Sequence, residues 1–166
     1  MAPSQLSNQP SVTILVDVQN IYYTTRQAFS RSFDYNAFWR QVTDQRQLVK
    51  AIAYATDRGD EKQRQFQNIL RAIGFEVKLK PFIQRADGSA KGDWDVGITI
   101  DALEYGRDAD ILVLASGDGD FDLLAKTLIN KHHTKVEVFG VEALTAQSLI
   151  QAASDFIAIG NKLLLK

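Results

Sequence analysis

Ser116-Gly117-Asp118-Gly119-Asp120 places two carboxylates in a glycine-rich turn, directly after the unbroken apolar run Ile111-Leu112-Val113-Leu114-Ala115. Such a run, bounded by turn residues, reads as a strand buried on both faces of a sheet. The acids then lie just past its carboxyl end, where ligands bind in open α/β sheets. Asp17 ends a second run, Val12-Thr13-Ile14-Leu15-Val16, and Asp93 and Asp95 open a helix. Where strands are parallel and crossovers right-handed, these acids converge on one rim. Asp108 and Asp110 fall at the amino end of their strand, roughly 17 Å away, and drop out.

Unit charges about 4 Å apart repel by about 4 kcal/mol at an effective dielectric near 20. A rim of carboxylates therefore binds a hard cation or holds protons at raised pKa. The chain has no cysteine, and no histidine lies near these acids in the sequence. An oxygen-only donor set selects Mg2+ or Mn2+ over zinc. Such an ion is completed by substrate phosphates and can generate a hydroxide nucleophile near neutral pH. Asp101 lies six residues past Asp95, about 120° around the helix, and is expected behind the ligands or on the helix surface.

Each acid also has a plainer reading. Asp17, Asp93 and Asp95 could each serve as a helix cap, and Asp118-Gly119-Asp120 as a turn. Other motifs fail on named residues. A calcium loop beginning at Asp118 needs glycine where Leu123 stands and glutamate where Ile129 stands. The first glycine of the chain is Gly59, so no phosphate loop follows the first strand. Gln19 replaces the second acid that a dehalogenase-type phosphotransferase would carry. No serine comes with a placed histidine, and a hydrolase triad has no support. His132-His133 follows a helix, where positive charge is favourable.

The elements that must position the acids alternate. Strands are predicted at 12–16, 48–55, 75–79, 111–115 and 136–139. Helices are predicted at 21–29, 35–42, 61–73, 93–105, 121–130 and 145–153, with Asp34 and Gly74 as caps. Phe66, Ile69, Leu70 and Ile73 form one stripe of the third helix, and Val96, Ile100 and Leu103 one side of the fourth. Segment 75–79 alternates apolar and charged residues like an edge strand, 81–92 reads as a loop, and 156–166 is apolar and of open type. The alternation predicts an α/β fold with a mostly parallel central sheet and helices on both faces.

With 166 residues the chain suffices for one domain, 11–166, after a polar, flexible tail at 1–10. Lys+Arg 19 against Asp+Glu 20 gives a net charge of −1, so a nucleic acid would have to meet a local basic patch. No run approaches the roughly 20 apolar residues of a membrane helix, and residues 1–10 are no signal peptide. A cytoplasmic protein with no membrane partner is expected. Its apolar end, 156–165, packs either on its own domain or on a second copy.

Val16-Asp17-Val18-Gln19-Asn20, Lys91-Gly92-Asp93-Trp94-Asp95-Val96-Gly97 and Ser116-Gly117-Asp118-Gly119-Asp120-Phe121, in this order, resemble the NYN domain. The resemblance is to the LabA-like (DUF88) group of PIN-like ribonucleases. The resemblance spans about residues 11–160 and implies a PIN-like three-layer α/β/α sandwich with a Mg2+- or Mn2+-dependent ribonuclease site. By position it implies metal ligands at Asp17, Asp95, Asp118 and Asp120. It also implies Asn20 as a residue orienting the first-strand loop and Ser116 as a neighbour of the site. Asp93 is one acid more than the motif needs; Asp95 is preferred because Thr99 and Ala102 share its face and allow close approach.

Single-stranded RNA needs cations for phosphates and aromatic faces for bases. Arg58, Lys80, Arg85 and Lys91 are the candidate cations, and Tyr22, Tyr23, Phe82 and Trp94 the candidate rings. The favoured function is a metal-dependent endoribonuclease. The alternatives are a non-catalytic RNA-binding or regulatory module of the same fold and a phosphatase of another α/β family, the latter weakened by Gln19.

Overall fold

The computed structural model describes residues 8–81, 83–84, 90–91 and 93–166, with the side chains of 81, 83, 84, 90 and 91 excepted. The strands are β1 (Ser11–Asp17), β2 (Gln47–Asp57), β3 (Glu76–Pro81), β4 (Ile83–Gln84), β5 (Ala90–Lys91), β6 (Ile111–Ala115), β7 (Lys135–Gly140) and β8 (Asp155–Ala158). The helices are α1 (Val18–Phe29), α2 (Tyr35–Thr43), α3 (Glu61–Ile73), α4 (Asp95–Gly106), α5 (Asp122–His132) and α6 (Gln147–Ala152). Three short 3-10 turns, Gly119–Phe121, Glu142–Leu144 and Asn161–Leu163, punctuate the second half.

Six strands form one sheet in the order β3-β2-β1-β6-β7-β8. Every pairing in it is parallel. Strand side chains point alternately to opposite faces, so the sheet has two cores. Val12, Ile14 and Val16 of β1, with Ile111 and Val113 of β6, pack under α1, α2 and α3. Leu15, Ile52, Tyr54, Leu112 and Leu114 pack under Ile98 and Ala102 of α4, Leu124 and Leu128 of α5, and Leu149 of α6. The result is a three-layer α/β/α sandwich of the PIN-like kind. No helix among the described residues is long and apolar enough to cross a membrane.

The chain builds outward from β1 through β2 to β3, then returns to lay β6, β7 and β8 on the other side. The reversal falls between β1 and β6, so the crevice at their carboxyl ends is a topological switch point, where α/β proteins bind ligands. Caps hold the helices around it. Asp34 Oδ1 accepts from Ala37 N at 3.0 Å, Asp60 Oδ1 accepts from Gln63 N at 2.8 Å, and Gly74 ends α3 at φ +138°.

Several expectations change. Segment 81–92 contains a pair of short antiparallel strands, β4 and β5, rather than loop throughout. Asp87-Gly88, the dipeptide that most favours a tight hairpin, lies between them in the sequence and was the available signal. On α4 the side bearing Val96 and Ile100 faces solvent, with exposures of 70% and 58%, while Ile98, Asp101 and Ala102 are buried. Apolar residues stand on both sides of this helix, and the side bearing Ile98 and Ala102 is the one packed on the sheet. Ile69 likewise leaves its stripe for solvent. The apolar end forms β8 and a 3-10 turn, and buries Ile159, Leu163 and Leu164 in the chain's own core. The expected tail lies outside the described residues at 1–7.

Candidate metal centre

Asp17 is the last residue of β1 and the N-cap of α1. Its Oδ1 accepts from Asn20 N at 3.3 Å and its Oδ2 from Ser116 Oγ at 3.2 Å. Ser116 Oγ in turn accepts from Asp118 N at 3.2 Å, and Asp118 Oδ1 accepts from Asp120 N at 2.9 Å. Asn20 Oδ1 takes the Gly117 N–H at 2.8 Å. One polar chain thus joins the loop after β1 to the loop after β6. The glycines of that loop are there for space. A Cβ on Gly117 would stand 3.0 Å from the Leu144 carbonyl oxygen, and one on Gly119 would stand 2.8 Å from Ala146 Cβ.

Asp95 opens α4 from the other side of the crevice. One carboxylate oxygen from each of Asp95, Asp118 and Asp120 falls within a group no wider than 4.8 Å. Asp95 is pushed up to a pKa of about 7, first by burial, then by the charge of Asp118 and a hydrogen bond with it, with Asp93 and Asp17 adding. Asp17 is raised to about 6, mainly by burial, against the two hydrogen bonds that stabilise its charge. Asp118 and Asp93 push it in the same direction. Like charges crowded at a partly dry rim resist ionisation, and a divalent cation relieves the conflict. Three oxygen donors converging without nitrogen or sulfur suit Mg2+ or Mn2+, so the residues present fit such an ion.

The remaining acids are placed apart. Asp93 Oδ1 lies 3.4 Å from Asp95 N, an N-terminal position on α4, and the converging group contains Asp95 rather than Asp93. Thr99 Oγ1 donates to the Asp95 carbonyl at 2.8 Å, and Ala102 is fully buried. Asp101 is not on the helix surface. It is buried, and its Oδ2 accepts from Tyr54 Oη at 2.8 Å and Lys78 Nζ at 2.7 Å. That tie was missed, and its only signal was a phenol within the apolar strand β2. Asp110 sits at the amino edge, where its Oδ2 accepts from Ser11 N at 2.8 Å. His132 and His133 end α5 at the same edge, far from the rim.

Of the substrate-side candidates, Tyr22 and Tyr23 are half exposed on α1, in edge contact at 5.4 Å. Arg58 is exposed in the turn after β2, with its N–H donating to Gln63 Oε1 at 3.1 Å. Lys80 and Trp94 pack on each other, with Nζ 4.6 Å from the ring centroid. Lys91 lies in β5 with its side chain outside the described residues, as are Arg85 and Phe82 entirely.

A model of the NYN domain matches residues 11–160. The chain is 27% identical over 158 residues to the low amplitude and bright protein LabA of Synechococcus elongatus, covering 90% of this chain and 84% of that protein. It also superposes with a TM-score of 0.90 on the crystal structure of a protein of unknown function from Vibrio parahaemolyticus. That protein is 55% identical, and the match covers 95% of this chain and 97% of the other. The three acidic motifs fall within the matched span, and the chain belongs to the NYN domain family.

Proposed function

We propose that the chain is an endoribonuclease that hydrolyses RNA phosphodiesters with Mg2+ or Mn2+ at the aspartate rim. The observation that carries this reading is the approach of Asp95, Asp118 and Asp120 within 4.8 Å at the sheet's switch point. Membership of the nuclease-like NYN family supports it. Asp95, Asp118 and Asp120 would hold the ion, with Asp17 behind them. A hard divalent ion supplies Lewis acidity toward a phosphodiester and lowers the pKa of water. The chain's own residues do the rest. Ser116 and Asn20 fix the two loops against each other, so the carboxylates keep their spacing as an anionic backbone approaches. Tyr22 and Tyr23 offer faces on which unpaired bases can stack, and Arg58 offers a cation near the same edge.

Cleavage of labelled single-stranded RNA with Mn2+ tests the reading, comparing the parent with Asp118→Asn. Loss of one placed electrostatic group should lower the rate at least about 100-fold. Equal cleavage by both would overturn the site. RNA bound but uncut by the parent would favour a non-catalytic binding module.

A further inference from the structure

Asp118 and Asp17 are pinned by backbone N–H groups of their own loops, whereas Asp95 is carried on the first turn of α4 and goes where that turn goes. The N-cap of α4 is Trp94, which gives the helix no side-chain cap bond. Serine, threonine, aspartate or asparagine usually holds that position. The indole bonds to the sheet instead. Its Nε1–H donates to the Ala55 carbonyl near the end of β2 at 2.9 Å, and its ring lies 5.3 Å from that of Tyr54. Lys80 Nζ sits 4.6 Å over the indole and also donates to the Asp93 carbonyl at 3.0 Å. Both residues that precede Asp95 are therefore tied to β2 or β3. Gly97 leaves the room this requires, since a Cβ there would stand 2.7 Å from Trp94 Cε3. Seven residues beyond Trp94, about 10 Å up the helix, Asp101 is tied to the same Tyr54 and to Lys78. Tyr54 thus contacts α4 at two points, through the Trp94 ring and the Asp101 carboxylate.

We infer that Trp94 is the positioning residue of Asp95: it seats the first turn of α4 on β2, so that the Asp95 carboxylate faces those of Asp118 and Asp120. The inference rests on the metal reading above. Ligands must be held within about 0.5 Å of a productive arrangement, and residues behind metal ligands typically govern 10–100-fold in affinity. A ring that only filled the core would affect stability and leave the affinity of the folded protein unchanged.

The test is calorimetric titration of the full chain with Mn2+, for the parent, Trp94→Ala, Trp94→Phe and Lys80→Met. Trp94→Ala should fold and bind Mn2+ about 10–100-fold more weakly. Trp94→Phe keeps a ring against Tyr54 and should recover most of the affinity. Lys80→Met removes the hold on Asp93 and on the indole face without opening the core, and should weaken binding several-fold. It stands in for Trp94→Ala if that variant does not fold. A folded Trp94→Ala, or failing that Lys80→Met, that binds Mn2+ as tightly as the parent overturns the inference alone. A parent that binds no Mn2+ overturns the metal reading together with it.

Discussion

Asp17→Asn should make the metal-free protein more stable at pH 8, although it removes a charge that two hydrogen bonds support. The Asp17 carboxyl has a folded pKa of about 6 against an ordinary 3.8. Between those values the folded state keeps a proton that the unfolded chain releases. Its contribution is therefore fully present below about pH 4 and is lost as pH rises through 6. The difference of about 2 pKa units corresponds to about 3 kcal/mol of destabilisation once the group is ionised. Asparagine still caps α1 through its carbonyl oxygen, but its amide must reverse the bond with Ser116 Oγ, at about 1 kcal/mol. The net gain above pH 7 is about 2 kcal/mol, which is about 4–8 °C in Tm for a chain of this size. Thermal melts with a chelator from pH 4 to 8 should show the variant below the parent at pH 4, with the curves crossing between pH 4 and 5. Millimolar Mn2+ should raise the parent, by about 2.7 kcal/mol at a hundredfold excess over Kd, and help the variant less. A variant that melts below the parent at every pH, with a parallel slope, would show that Asp17 is not strained at the rim. Asp95, raised to about 7 by burial and by Asp118, adds to the same downward slope of parent stability between pH 4 and 8.

Three further substitutions probe the scaffold. Arg46→Ala breaks a two-pronged pair in which Nη1 and Nη2 donate to Oε1 and Oε2 of Glu137, each at 2.9 Å, the carboxylate side chain being only 9% exposed. Urea unfolding should show a loss of about 3 kcal/mol, and a loss below about 1 would mean that Lys135, whose Nζ lies 3.6 Å from Glu137 Oε2, satisfies the carboxylate unaided. Gly74→Ala sets a Cβ 2.6 Å from the Trp39 ring at a φ of +138°. It should cost about 1–3 kcal/mol in the same assay, and a neutral result would show that the α3 end relaxes freely. Thr56→Val removes a buried hydroxyl that has no partner among the described residues. It should stabilise by up to about 1 kcal/mol, and destabilisation would reveal a partner for that oxygen.

The central strands were legible because β1 and β6 are buried on both faces, and an uninterrupted apolar run has few other uses. The rim was legible for the same reason: once strand ends are known, topology places Asp17, Asp118 and Asp120 together without any knowledge of side chains. The face of α4 was not, because Val96 and Ile100 keep helical spacing as well as Ile98 and Ala102 do, and only docking on the sheet chooses between them. Asp101 illustrates a second limit. Its partners Tyr54 and Lys78 lie 47 and 23 residues away, and no local pattern announces such a tie. Strand β8 was obscured by its short length and its half-buried edge position.

The hydrogen bonds from Ser116 to Asp17 and from Gly117 to Asn20 span 99 and 97 residues of chain. Such closures are slow, because the entropy of a long loop is lost before the contacts that reward it form, and parallel sheets lie at the slow end of the folding range. A chain still lacking β6 carries half the rim and cannot gather Asp17 with Asp118. A cation bound at that rim, as the proposed function requires, would therefore arrive after the sheet has assembled. It should lengthen the lifetime of the folded state by slowing unfolding, while leaving the rate at which the sheet assembles unchanged.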